Sequence, residues 1–264
     1  MNDVQNHERP APGRGNRHHV ALFVTCLADL IRPSIAFASI KLLEEAGCIV
    51  SVPQQQTCCG QPAYNTGDFE ATVPVAKQVI SSFESADYVV VPSGSCAAMI
   101  CQHYPRLLEG EWRQKAIALA AKTFELTTFL AEVASPIPAS KPLDRGVTYH
   151  DSCAGLRELG IREQPRALLQ QRCGVTVREL EQADVCCGFG GTFCAKMPAL
   201  SGKMAADKLS DAEATGADIL TGGDLGCLLN LAGKARRDGN DIEIRHIAEL
   251  LAGDLGEPGI GEPG

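Results

Sequence analysis

Gln56-Thr57-Cys58-Cys59-Gly60-Gln61-Pro62-Ala63 and Cys186-Cys187-Gly188-Phe189-Gly190-Gly191-Thr192-Phe193 are the stretches on which the reading of this chain turns. Each holds two adjacent cysteines followed by glycine, and each is flanked by a single cysteine on either side. Cys26 precedes the first pair by 31 intervening residues and Cys96 follows it after 36. Cys153 precedes the second pair by 32 and Cys227 follows it after 39. Equivalent cysteines lie 127, 128, 128 and 131 residues apart, so only small insertions separate two copies of one plan. A period this long marks duplication into two domains, since solenoid repeats run to about 20–50 residues.

Around these turns the order of elements also repeats. Residues 19–25 are apolar and β-branched and end at Cys26; a helical pattern with Ile35, Ala38, Leu42 and Leu43 stops at Gly47. A short strand is expected at 48–52, an amphipathic helix at 69–83, a strand at 88–92, and mainly helix over 111–133. After Pro142 the series restarts: strand 146–149, helix 164–172, strand 174–178, helix 200–215, strand 218–221 and a last helix at 244–251. Phe129-Leu130-Ala131-Glu132-Val133 echoes His246-Ile247-Ala248-Glu249-Leu250. The fold expected is α/β: two tandem duplicated domains, each a short, mainly parallel sheet with flanking helices, related by a pseudo-twofold. Residues 19–140 form the first domain and 141–254 the second. The Pro- and Gly-rich ends, 1–18 and 255–264, are expected to be disordered tails. In sheets of this kind sites form beyond the carboxyl ends of strands, where every repeated cysteine falls.

Composition narrows the chemistry. Of the 264 residues 45% are hydrophobic, enough for a substantial core. The net charge is −8 with no basic run, which argues against nucleic acid or anionic lipid as a partner. No apolar run reads as a secretion signal or a membrane span, so a cytoplasmic protein without direct membrane insertion is expected. Thiols stay reduced in that compartment, and twelve cysteines there point to metal rather than disulfides.

Two sets of four thiolates suit either a tetrahedral zinc ion or a four-iron cluster. Adjacent cysteines chelate one small ion poorly, because the planar peptide between them is short. A cluster offers separate irons, and structural zinc favours cysteine pairs two to four residues apart, which neither half has. The expected ligands are therefore Cys26, Cys58, Cys59 and Cys96 for one iron–sulfur cluster and Cys153, Cys186, Cys187 and Cys227 for the other. Gly60 and Gly188 let backbone N–H groups approach sulfur, and His150 is read as orienting the ligand loop. Cys48, Cys101, Cys173 and Cys194 are read as structural. No residue announces a catalytic role: His150-Asp151-Ser152-Cys153 are neighbours in sequence, which does not make a triad.

The pattern resembles the cysteine-rich CCG domain of the heterodisulfide reductases and of the glycolate oxidase iron–sulfur protein. With Phe23-Val24-Thr25-Cys26-Leu27, Pro92-Ser93-Gly94-Ser95-Cys96-Ala97-Ala98-Met99, Tyr149-His150-Asp151-Ser152-Cys153 and Gly222-Gly223-Asp224-Leu225-Gly226-Cys227, it looks most like the lactate utilization protein A family over residues 19–252. The resemblance implies an iron–sulfur electron-transfer subunit for L-lactate oxidation to pyruvate, working with lactate utilization proteins B and C. It departs from the heterodisulfide reductase pattern where a fifth cysteine helps bind a noncubane cluster. Met99 and Asn230 stand there instead, so one ordinary [4Fe–4S] cluster per domain is expected. Two alternatives stay open: a cluster-linked thiol/disulfide reductase component and a non-redox zinc-binding scaffold.

Overall fold

The computed structural model describes residues 18–262. The first half runs β1 (His19–Leu22), α1 (Cys26–Ile31), α2 (Ser34–Glu45), β2 (Ile49–Ser51), α3 (Gln61–Asn65), α4 (Phe69–Phe83), β3 (Tyr88–Val91) and α5 (Gly94–Ala98). A π-helical turn (Met99–His103), α6 (Tyr104–Leu107), α7 (Gly110–Ala121), β4 (Thr123–Glu125) and α8 (Leu126–Glu132) complete it. The second half runs β5 (Val147–His150), α9 (Cys153–Leu159), α10 (Glu163–Cys173), α11 (Phe193–Lys196), α12 (Pro198–Ala214), β6 (Ile219–Gly222), α13 (Leu225–Asp238), β7 (Glu243–His246) and α14 (Ile247–Ala252).

Each half is a parallel sheet with helices packed on it. The first has strand order β2-β1-β3-β4 and the second β5-β6-β7. Arg178 adds a single parallel bridge beside Thr148, in the place that β2 takes beside β1, so the two sheets share one order. The strands are short, and all but the edge strand β2 are mostly buried, as expected where helices cover a parallel sheet.

Five expectations change here. Residues 174–178 form one bridge and not a strand. Residues 111–133 are broken by β4, and 244–251 divide into β7 and α14, because pairing with β3 and β6 draws three- and four-residue segments out of helical surroundings. The echo between Phe129 and His246 shifts by about one helical turn: Glu125 caps α8 as His246 caps α14. Finally, the part of the C-terminal tail that is described returns to the sheet: the Ile260 N–H donates to the Ile244 carbonyl at 2.7 Å, and its side chain is buried. Residues 1–17 and 263–264 of the expected tails lie outside the described residues.

The two halves share a core. One continuous apolar cluster joins Val20, Leu22, Ile35 and Leu42 of the first half to Val147, Leu169, Leu228 and Leu251 of the second. The other face of the first sheet packs Phe23, Val79, Ile80, Phe83 and Ile100 into a separate cluster. Contacts across the junction are reciprocal: α2 packs on α14 and its counterpart α10 on α8, while α5 packs on α9 and α13 on α1. Such exchange of equivalent elements is the signature of a twofold relation. At the junction the buried Glu249 accepts from Arg32 Nε and from Ser34 Oγ, both at 2.7 Å. The Lys41 ammonium donates to the Ala252 carbonyl at 2.8 Å.

Candidate metal centre

The repeated single cysteines follow strands, and four cysteines lie in the first turn of a helix. Cys26 and Cys153 are first residues of α1 and α9, behind Thr25 and Ser152, whose hydroxyls accept from Ala28 N–H and Gly155 N–H. Cys96 and Cys227 are third residues of α5 and α13, behind Ser93 and Asp224. Free N–H groups at a helix start favour negative charge, so these positions suit thiolates. The vicinal pairs occupy the loops between. Gly60 and Gly188 follow them with φ of 82° and 84°, a left-handed turn open to glycine, and each turns its N–H onto the first sulfur of its pair at 3.4 Å.

In the first half the thiols converge. Cys26 Sγ lies 3.8 Å from Cys58 Sγ, and Cys59 Sγ lies 3.3 Å from Cys96 Sγ. All four line a cavity of about 250 Å³. That cavity is roofed by the second half, through Phe189, Gly191, Thr192 and the Asp224–Gly226 turn. Gly226 is required there, because a Cβ would overlap the Phe189 ring. In the second half Cys187 and Cys227 come together with His150, their Sγ and ring nitrogen atoms within 4.8 Å of one another. Cys153 and Cys186 stand beside them, close enough for each thiol to act on the other's ionisation.

The electrostatics of the two sets match. A hydrogen bond from Cys26, then one from Cys59, then burial working the other way and the Gly60 N–H, leave the Cys58 thiol far below the usual range. The same bond to Cys58, then burial and the like charges of Cys58 and Cys96, drives Cys26 up. Cys186 is held low by Cys153 and Cys187, while Cys153 is driven up by its bond to Cys186 and by burial. Left to themselves the thiols compete, one ionising at its neighbours' expense. A cationic centre lets all four ionise together, since a coordinating thiol is deprotonated outright. The donor set, the cavity and the convergent N–H groups fit a thiolate-bound metal or cluster, which Cys26, Cys58, Cys59 and Cys96, and their four counterparts, would hold.

Side chains that carry no metal-ligand signal also build these sites. The Tyr104 hydroxyl donates to the Cys59 carbonyl at 2.8 Å, and the Asn230 amide donates to the Cys187 carbonyl at 2.9 Å. Asp224 ties the halves together, accepting from Ser95 N–H at 2.8 Å and Ser93 Oγ at 3.2 Å. No spacing points to Tyr104; Asn230 is visible in the sequence only as a departure from the fifth-cysteine pattern. His150 differs from its expected role: neither ring nitrogen has a hydrogen-bond partner among the described residues, so it does not orient the ligand loop through a hydrogen bond. Burial, reinforced by the Lys208 charge, pushes its imidazole down to about 4 and keeps it neutral at pH 7. Cys48 and Cys173 are buried in the core, with burial raising the Cys48 thiol to about 11. Cys101 and Cys194 are half-buried, with Sγ facing the Thr123 and Gly191 carbonyls respectively.

Two sheets of one strand order, each carrying four cysteines around a Cys-Cys-Gly turn, define a class, and a family model described as a cysteine-rich domain (CCG) matches residues 20–101 and again 147–232. This is a protein of two CCG domains. Lactate utilization protein A of Shouchella clausii is 46% identical to it over 234 residues, covering 88% of this chain and 98% of that protein. Lactate utilization protein A 2 of Bacillus cereus is 42% identical over 238 residues, with 89% and 98% covered. The chain belongs to the lactate utilization protein A family. Among solved structures, a hypothetical protein from Helicobacter pylori aligns with a TM-score of 0.63 at 14% identity, over 96% of this chain and 52% of that one. The chain thus spans about half the length of that protein, and the likeness concerns the fold alone. No helix among the described residues is long and apolar enough to cross a membrane.

Proposed function

We propose that this protein is an iron–sulfur subunit that passes electrons in the oxidation of L-lactate to pyruvate. The observation that carries the reading is the duplicated set of four thiols around a Cys-Cys-Gly turn, one set converging on a cavity of about 250 Å³. The names of the relatives support the lactate context. A cluster held by Cys26, Cys58, Cys59 and Cys96, and another by Cys153, Cys186, Cys187 and Cys227, would supply one-electron storage. The chain's own part is to supply thiolates at helix starts, to direct the Gly60 and Gly188 N–H groups at sulfur, and to exclude water by burying Cys59, Cys96, Cys187 and Cys227. Met99 is buried and Asn230 holds a backbone carbonyl, so the positions of a fifth cysteine are given to packing and hydrogen bonding. This supports a [4Fe–4S] cubane in each half. Lactate utilization proteins B and C are the partners we propose, with the cytoplasm as the site of action.

The test is the iron, acid-labile sulfide and zinc content of anaerobically purified protein, with an EPR spectrum after dithionite reduction. About eight irons and eight sulfides per chain are expected for two four-iron clusters. Stoichiometric zinc without iron or an EPR signal would overturn the reading in favour of a scaffold.

A further inference from the structure

The two cysteine sites share a frame but not an environment. Cys26 and Cys153 are equivalent, which places Phe23, just past β1, opposite His150, the last residue of β5. The turn glycines fix the register of the next helix: Gly60 faces Thr72 and Val75, and Gly188 faces Ser201 and Met204. α4 and α12 therefore correspond at an offset of 129, which places Val79 opposite Lys208. Phe23 and Val79 are fully buried in the apolar cluster that holds Cys59 and Cys96. His150 and Lys208 are just as deeply buried, each 1% exposed, beside Cys186, Cys187 and Cys227.

We propose that His150 and Lys208 hold the second four-cysteine site at a higher reduction potential than the first, where Phe23 and Val79 take their places. The inference rests on the iron–sulfur reading above. A four-thiolate cluster is anionic in its oxidised form and gains further negative charge on reduction, so nearby positive charge and N–H donors stabilise the reduced form. His150 brings two ring nitrogens with no other hydrogen-bond partner among the described residues, close to Cys187 and Cys227. Lys208 brings an ammonium that donates to the Gln182 carbonyl and lies within electrostatic reach of Cys186 and Cys187. Three acids temper this charge: Asp211 and Asp151 act on Lys208, and Asp224 faces Cys153 and Cys227, but each of them is also engaged elsewhere. Asp151 is paired with Arg166 at 2.8 Å. Asp211 stands 4.0 Å from the ammonium and accepts from the Glu181 and Gln182 N–H groups. In the first half an aromatic ring and a valine offer neither charge nor donor. A buried lysine and an imidazole without a hydrogen-bond partner are costly in a core, and the first half shows that the fold packs without them.

The test is an anaerobic redox titration followed by EPR, with iron content measured on every sample. Cys96→Ala and Cys227→Ala assign the two waves. Wild type is expected to titrate in two waves, the second site the higher. Lys208→Met and His150→Phe should each lower only that wave, cutting the reduced-to-oxidised ratio at a fixed potential about tenfold, or about 59 mV for a one-electron couple. Phe23→His should raise the first wave, a result that does not depend on how the second half tolerates substitution. Equal potentials in an iron-replete wild type, or replete variants with unmoved waves, overturn this inference alone. A wild type without iron overturns the iron–sulfur reading with it.

Discussion

Tyr104 and Cys59 are 45 residues apart, yet the tyrosine hydroxyl donates to the cysteine carbonyl at 2.8 Å inside a core where both are buried. Asn230 repeats the contact on Cys187 with an amide in place of a phenol. In each half, then, the peptide after the vicinal pair is held by a side chain from a later helix, α6 in the first and α13 in the second. Tyr104→Phe leaves that carbonyl unsatisfied and should cost about 1–3 kcal/mol. Urea unfolding of the metal-loaded protein measures the cost, and bound metal should also leave faster to a chelator. A variant with wild-type stability and wild-type release would show that the bond does not hold the turn.

Glu125 sets a pH dependence away from the cysteines. It is fully buried at the start of α8 and accepts from Thr127 N–H at 2.8 Å. Burial raises its carboxyl to about 7, against an ordinary value of 4.5. A folded pKa above the unfolded one means that the folded state binds the extra proton. Its contribution is full below pH 4.5 and is lost as pH rises through about 7. The loss should be about 3 kcal/mol, and Glu125→Gln should flatten stability across that window. Thermal denaturation from about pH 4.5 to about pH 8 reads it, and equal slopes in both proteins would refute the assignment.

Ligand and core cysteines should separate cleanly. Cys187→Ser is expected to lose the metal of the second half and to destabilise it, because ligation and folding are coupled. Cys48→Ala removes a buried sulfur next to Ala46 and Leu43 and should cost about 1 kcal/mol with metal content intact. Metal analysis beside denaturation decides it. Equal metal loss in the two variants would contradict the division.

The junction between halves has its own test. Glu249 is buried and accepts from Arg32, Ser34 and the His246 N–H. Arg32→Ala removes the cation paired with that buried carboxylate and should cost about 3 kcal/mol. Replacing Glu249 with Leu in the same protein should restore part of the loss. A double-mutant cycle showing no coupling would mean that the pair adds nothing to the junction.

Much of the architecture could be read from the residues alone, for reasons local to the chain. The Cys-Cys-Gly turns, the flanking cysteines and the apolar periodicity of residues 69–83 are short-range signals, and α4 (Phe69–Phe83) has the bounds they indicate. Duplication made the signal redundant: four cysteines in one half found four in the other at nearly constant offset.

What escaped was decided by distant partners. Thr123–Glu125 and Glu243–His246 are strands because β3 and β6 offer them a ladder, and the stretch about Ile260 is ordered because Ile244 accepts its N–H. Each segment is too short to carry a periodicity of its own. The four repeated cysteine positions of each half were legible as one residue type at a spacing. The roof that Phe189 and Asp224 place over the first set, the Tyr104 and Asn230 bonds, and the exchange of Phe23 and Val79 for His150 and Lys208 were not. Sequence alone determined which thiols are duplicated, because covalent order fixes spacing. Tertiary structure decided what surrounds them, because burial and charge depend on groups that only folding brings together.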